Sequence, residues 1–308
     1  VSTNPSVTAV LTDWVFEPTV LAGVALTALV YVIGLRRLAG RAQQGKSVDG
    51  LHSTYFFVGL VAVVLALVSP IDSFSVLLLS VHMVQHLLLL LVAPPLLLLG
   101  KPIPVLVVGA PHSLVRWVAR SHARTPWFHA LTRILTMPWV AWTVFTVVTM
   151  VWHLPALYDA ALQNAGVHLL EHLCFLITGL LFWWVIVQPF PGPARVAAGW
   201  RLVYILAAMI PGSALGLIYI FAPSPIYAYY AALPHLWSIT PLGDQGNAGI
   251  IMMTGDDLAM GVAAIPLFAA MMNRLEQWEL ARSADLVTAA ERAAAEGYEA
   301  TPLDPVRS

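Results

Sequence analysis

The chain has 308 residues, of which 59% are hydrophobic and only 10% charged, with a mean hydropathy of +0.80. Charged residues make up about a quarter of an ordinary soluble domain, so this surface could not be solvated over its whole extent and a water-soluble enzyme is excluded. The hydrophobicity also excludes disorder, the single Cys174 excludes a disulfide scaffold, and a net charge of −1 gives no polybasic character for nucleic acid.

Crossing a bilayer takes about 20 mostly apolar residues, and seven stretches qualify. Residues 1–18 form an N-terminal segment outside the membrane; they lack a basic region before an apolar run, so no cleavable signal peptide is expected. The first span covers 19–35 and stops at Arg36 and Arg37, and the second covers 53–69 and stops at Pro70. The third covers 73–99, with a kink predicted at Pro94 and Pro95. Segment 101–136 is too polar to span; its part from 111 on reads as short amphipathic helices at the membrane surface, with Trp117 and Trp127 at headgroup depth. The fourth, fifth and sixth spans cover 137–154, 168–187 and 202–221. In the sixth, Pro211, Gly212 and Gly216 allow a kink or a close helix contact, which could also serve a homodimer. Loop 222–247 carries Tyr227, Tyr229, Tyr230, His235 and Trp237, and reads equally as a lid or as an interfacial aromatic belt. The seventh span covers 248–272 of a 19–272 membrane domain, and 273–308 forms a helical extension that frays beyond 301.

Seven spans put the termini on opposite sides, and the basic residues sort without exception. Arg36, Arg37, Arg41 and Lys46 follow the first span, and Lys101, Arg116, Arg120, Arg124 and Arg133 follow the third. Arg195 and Arg201 follow the fifth, and Arg274, Arg282, Arg292 and Arg307 follow the seventh. The positive-inside rule then predicts an all-α multi-pass protein with its N-terminus outside and its C-terminus in the cytoplasm.

That orientation divides the ten histidines. His52, His112, His122 and His129 fall near the cytoplasmic surface and His235 lies in an outer loop, where solvated roles suffice. His82, His86, His153, His168 and His172 gather in the outer half of spans three, four and five. His82 and His86 share one helix face, as do His168 and His172, with Glu171 extending the latter. Span seven adds a stripe of Met253, Asp256, Asp257 and Met260. A lone intramembrane histidine is often helix-packing glue, but two i, i+4 pairs and a fifth imidazole at one depth point to a site. Methionine alone reads as core filler, and Cys174 as a small buried hydrophobe.

Imidazole suits copper, zinc, iron and nickel, and nearby thioether biases a site toward Cu(I). The expected metal set is His82, His86, His153, His168, His172 and Met253, with Glu171, Asp244, Asp256 and Asp257 orienting ligands or handling protons. Spacing does not separate copper from zinc. A b-type heme is an alternative, weakened because His86 and His172 fall at different depths, about 18 Å and about 6 Å below their helix ends, unless the start of span three lies outside the membrane. A copper or proton transporter is another alternative, although the inner half offers little beyond Ser and Thr. Retinal is excluded, since Lys46 and Lys101 are the only lysines and neither lies in span seven.

Four motifs, spread in order from about residue 52 to 272, resemble the multi-span CtaG-type cytochrome c oxidase assembly factors. They are His82-Met-Val-Gln-His86 with Ala93-Pro-Pro-Leu and Gly100-Lys-Pro; Trp152-His-Leu-Pro-Ala-Leu-Tyr-Asp159; His168-Leu-Leu-Glu-His172 with Phe182-Trp-Trp; and Asp244-Gln245 with Gly249-Ile-Ile-Met252. The resemblance implies a bacterial plasma-membrane metallochaperone, not an enzyme, that matures a heme-copper oxidase by supporting copper insertion. It implies the oxidase catalytic subunit and other copper chaperones as partners, and the five histidines as the motif positions. Family members often carry an aromatic residue where this chain has Met253, and some actinobacterial relatives fuse the domain to a copper-resistance membrane module not found in this sequence.

Overall fold

In hydrocarbon the backbone must satisfy its N–H and C=O groups internally, which for apolar runs of this length means helix. The protein is accordingly helical in a computed structural model that describes residues 6–40, 50–189 and 196–295, with no strand among them. Six helices are long and apolar enough to cross a bilayer, and a bent pair brings the number to seven. In chain order they are α1 (Pro18–Ala39), α2 (Gly50–Leu67), α3 (Leu79–Leu99), the pair α4 (Pro138–Trp152) and α5 (Pro155–Gln163), α6 (Ala165–Val187), α7 (Ala198–Phe221) and α8 (Pro241–Ala295). The expected all-α membrane architecture is the observed one. Arg41, Lys46, Arg195, Arg307 and the tail 301–308 lie outside the described residues.

The third span starts later than its hydropathy indicates. Residues Pro70–Ser75 form a separate short helix capped by the Ser69 hydroxyl, which accepts from the Ile71 N–H at 3.1 Å. Leu78 is extended, with φ −134° and ψ 124°, so the chain turns before α3 begins. This brings His86 nearer the end of its helix and removes the depth mismatch with His172. The expected kink is a π-helical turn at Leu88–Val92, just ahead of Pro94 and Pro95. Pro94 has no N–H to give the Leu90 carbonyl; the Trp183 indole N–H of α6 donates to that carbonyl instead, at 3.0 Å. Gly179 lets α6 come this close, because a Cβ there would lie 2.9 Å from both the Leu90 oxygen and the Pro94 ring.

The fourth span ends at Trp152, and the chain bends by 71° into α5, which has Pro155 in its first turn. Segment 101–136 divides into the apolar helix Pro102–Gly109 and the helices His112–Arg124 and Pro126–Leu135. The first of these packs on α1, where the Tyr31 hydroxyl donates to the Gly100 carbonyl at 2.7 Å and Arg37 Nη1 donates to the Val108 carbonyl at 2.8 Å. Tyr31 also stacks on Phe56 of α2 with ring centroids 3.7 Å apart, which ties α1 to the bundle.

Helix α8 starts at Pro241, so Asp244 and Gln245 sit in its first turns and not in the outer loop. Its buried stripe runs Asp244, Ala248, Met252, Asp256, Met260. Two members of the expected stripe, Asp256 and Met260, belong to it; the other two each lie one position, about 100° of rotation, past a buried residue, so Met253 is only half-buried and Asp257 is exposed. The 55-residue helix would be about 80 Å long against a core of about 30 Å, so its charged second half projects beyond the membrane.

Candidate metal centre

Three helix ends converge on the histidines, and each is fixed locally. Asp244 of α8 caps α3: Oδ2 accepts from the Leu79 N–H at 2.6 Å, and Oδ1 from the Ser80 N–H at 3.3 Å and the Ser80 hydroxyl at 2.5 Å. His82 and His86 follow on the first turns of that helix. Asn164 caps α6, its Oδ1 accepting from the Gly166 and Val167 N–H groups at 2.9 and 3.2 Å. That sets the register in which His168, Glu171 and His172 face inward. His153 occupies the C-cap of α4 at the bend, and its Nδ1 lies 2.6 Å from the Thr149 carbonyl.

All five imidazoles form one contiguous group. Ring centroids are 4.3 Å apart for His82 and His86, 4.1 Å for His168 and His172, 5.3 Å for His82 and His168, and 5.5 Å for His86 and His153. His86 and His172 are 6.1 Å apart. Within the group His82, His86, Glu171 and His172 are buried, and each offers a ligand atom within 4.8 Å of the others. Glu171, expected to orient ligands or carry protons, thus stands among the candidate ligands themselves.

Hydrogen bonds assign the His82 tautomer. The Tyr230 hydroxyl has one proton, which it donates to the Ser75 carbonyl at 2.5 Å; at 3.0 Å from His82 Nδ1 it therefore accepts from that nitrogen. The Nε2 lone pair of His82 is left facing Glu171 at 3.9 Å, and His86 Nε2 lies 3.7 Å from the same carboxylate. These separations are too long for hydrogen bonds. Nε2 of all five histidines and both Glu171 oxygens are buried without a hydrogen-bond partner. A converging set of unpartnered imidazole nitrogens around a fully buried carboxylate is costly unless a cation sits among them. Bonds of about 2.0–2.2 Å to a metal hold ligand atoms about 3.3 Å apart in a tetrahedron, so small side-chain rotations close the site. The donor set fits a metal ion.

A layer of tyrosines covers the centre. The Tyr227 hydroxyl donates to the His153 carbonyl at 2.9 Å and pairs with the Tyr219 hydroxyl. Tyr158 of α5 is fully buried, with its ring 5.0 Å from His82 and stacked 4.1 Å from Tyr227. Burial pushes the Tyr227 and Tyr230 hydroxyls up from their ordinary value, which keeps both as proton donors at physiological pH. For these two residues the lid reading of loop 222–247 fits, whereas His235 and Trp237 are exposed. Sequence spacing does not show the inward positions of Tyr158 and Tyr219; Tyr158 lies inside the Trp152 to Asp159 motif, but only the bend after His153 turns it inward.

The other sequence-derived candidates stand apart. Asp244 is occupied as the α3 cap. Met253 packs against Gly216 of α7, whose added Cβ would lie 3.2 Å from the Met253 Cβ. Asp256 is buried beside Gly212, Asp257 is exposed, and Cys174 is a free, half-buried thiol.

Residues 29–274 match the family Caa3_CtaG, described as cytochrome c oxidase caa3 assembly factor. The chain is 25% identical over 283 residues to uncharacterized proteins of Mycobacterium bovis and Mycobacterium tuberculosis, covering 89% of this chain and 40% of each relative. An uncharacterized protein of Mycobacterium leprae is 24% identical over 276 residues, covering 86% of this chain and 40% of its own length. The chain therefore spans less than half of the curated relatives it matches. No solved structure matches.

Proposed function

The chain belongs to the cytochrome c oxidase caa3 assembly factor family, and from that premise we propose that it holds copper in the histidine centre and delivers it to a heme-copper oxidase. The observation that carries this reading is the buried set of His82, His86, His172 and Glu171, with ligand atoms converging and unpartnered. Imidazole binds copper well, and Glu171 offsets the charge of the ion in a low-dielectric site. Copper is cargo in this reading, taken up as Cu(I) and released, and the chain performs no catalysis. His153 and His168 stand within one ring contact of the inner set, which gives the ion alternative imidazoles on its way in or out. Met253 has no part in it.

The positive-inside orientation puts the centre at the outer face of a bacterial plasma membrane, with the tyrosine layer between it and solvent. The ion would then enter from outside and pass sideways to an oxidase subunit in the same bilayer, directly or with the help of other copper chaperones. Heme is not favoured, because imidazoles in edge contact leave no flat slot for a macrocycle among them.

Metal analysis after anaerobic Cu(I) exposure tests the reading. Wild-type protein is expected to keep at least one copper bound to nitrogen, and joint replacement of His82, His86, His168 and His172 by Ala removes the nitrogen-bound copper. Glu171→Gln keeps the shape and loses the charge, and should weaken binding about 10- to 100-fold. Nitrogen-bound copper that persists in the four-histidine variant refutes the site.

A further inference from the structure

A second polar site lies one helical turn beyond the histidines. His153 leans on the Thr149 carbonyl, and Thr149 lines a cavity of about 40 Å³ between α3, α4, α7 and α8. One water needs roughly 10–15 Å³ of such space, so the cavity admits an ion. Its wall is largely apolar, yet three oxygens there are buried without a hydrogen-bond partner: the hydroxyls of Thr146 and Thr149 and Oδ2 of Asp256. Thr149 and Asp256 are each 6% exposed. Gly212 of α7 leaves room for the carboxylate, since a Cβ there would fall 2.5 Å from Oδ2. Met150 of α4 and Met252 of α8 line the same space.

An unpaired carboxylate inside the membrane is costly and normally has a cation or a donor for it. No Lys, Arg or His lines this cavity. Its chemistry is complementary to that of the histidine centre: thioethers select a soft, monovalent copper ion, and one carboxylate matches its single charge. The position is also suited to transfer, because His153 touches the centre through His86, at 5.5 Å between ring centroids, and the cavity through Thr149.

We propose that Asp256, Met150 and Met252 form a second Cu(I) station, linked to the histidine centre at His153. The station rests on the copper reading of that centre and extends it. An ion held by thioethers exchanges with imidazole ligands without proton transfer, so the two sites together provide a short path through the bundle interior in place of a single trap. Thr146 and Thr149 would hold water that completes the coordination of the ion.

Copper-edge X-ray absorption, with stoichiometry, on the purified full chain loaded anaerobically with Cu(I) tests it. Wild-type protein is expected to bind about two copper ions with both sulfur and nitrogen scattering. The joint Met150→Leu and Met252→Leu variant, which conserves side-chain volume, should lose one ion and all sulfur scattering while keeping the nitrogen-bound one. Replacing His82, His86 and His172 by Ala should do the reverse. Asp256→Asn should weaken retention of the sulfur-bound ion at least tenfold against a chelator. Wild-type protein without copper–sulfur scattering overturns the station, as does sulfur scattering that survives the double methionine variant. Failure of the histidine centre is told apart by a wild-type spectrum with sulfur scattering and no nitrogen.

Discussion

Tyr230 decides which nitrogen of His82 faces the candidate metal centre. Its hydroxyl donates to Ser75 and accepts from Nδ1, so Nε2 is left free as a ligand. Tyr230→Phe leaves the ring packing intact and removes both bonds. Copper affinity should fall about 10- to 100-fold in chelator competition, while unfolding loses only about 1–3 kcal/mol. An affinity equal to wild type would show that the tautomer is set elsewhere. Asp72, outside the spans, gives a pH-dependent case. Burial pushes its carboxyl up to about 6; the Gln85 amide, which donates to Oδ1 at 2.7 Å, partly opposes the rise, and Glu17 adds to it. The folded state therefore holds this proton more tightly than the unfolded chain, so the contribution of Asp72 to stability is greatest below about pH 4 and declines as pH rises through about 6. Asp72→Asn should remove that part of the slope, seen as a smaller difference in melting temperature between pH 4.5 and 7; equal slopes in the two proteins would refute it. At this scale the sequence was informative where spacing alone fixes a face: an i, i+4 histidine pair has one geometry on any helix. It failed at Met253, because choosing which residue of a stripe points inward requires the helix's rotation about its own axis.

Helix ends are where hydropathy misjudged the protein, and they are also where the candidate metal centre is built. An apolar run continues through Ser75 to Leu78, so periodicity could not show that the chain turns there and restarts as α3. The turn depends on Asp244, far away in sequence. The sequence reads Asp244 as orienting ligands or handling protons, and its position as the cap of α3 predicts something different from proton carriage. Asp244→Ala should cost about 0.5–2 kcal/mol and weaken copper binding in parallel, since His82 sits three residues past the capped N–H of Leu79. Asp244→Asn keeps an acceptor for that N–H and should behave nearly as wild type in melting and in copper titration. A proton carrier would instead lose function equally in both variants. The bend after Trp152 is a comparable case. Pro155 announces a break in the sequence, but the angle that brings Tyr158 beneath the lid depends on tertiary packing against Tyr227 and His82.

Across the described residues, the chain places its five clustered histidines and its basic residues at opposite ends of the same helices. On α3 the histidines lie in the first turns and Lys101 follows the last; on α6 His168 and His172 are at the start, while Arg201 Nη1 donates to Ile186 near the end, at 2.8 Å. His153 follows α4, and Arg133 precedes it. Arg37 of α1 reaches Val108 at that same basic end. A bilayer with an anionic cytoplasmic face would hold this distribution in one direction, which opens the metal centre to the outside. Thiol labelling can settle the direction, since Cys174 is the only cysteine and can be replaced by Ser. In that background, a cysteine at exposed His235 should react with a membrane-impermeant maleimide in intact cells, and one at exposed Ser121 only after permeabilisation. The reverse pattern would put the histidines on the cytoplasmic side, and copper would then have to come from the cytoplasm. Under the proposed copper role, the direction of delivery would follow from which end of these helices carries the arginines, and two single-cysteine variants are enough to test it.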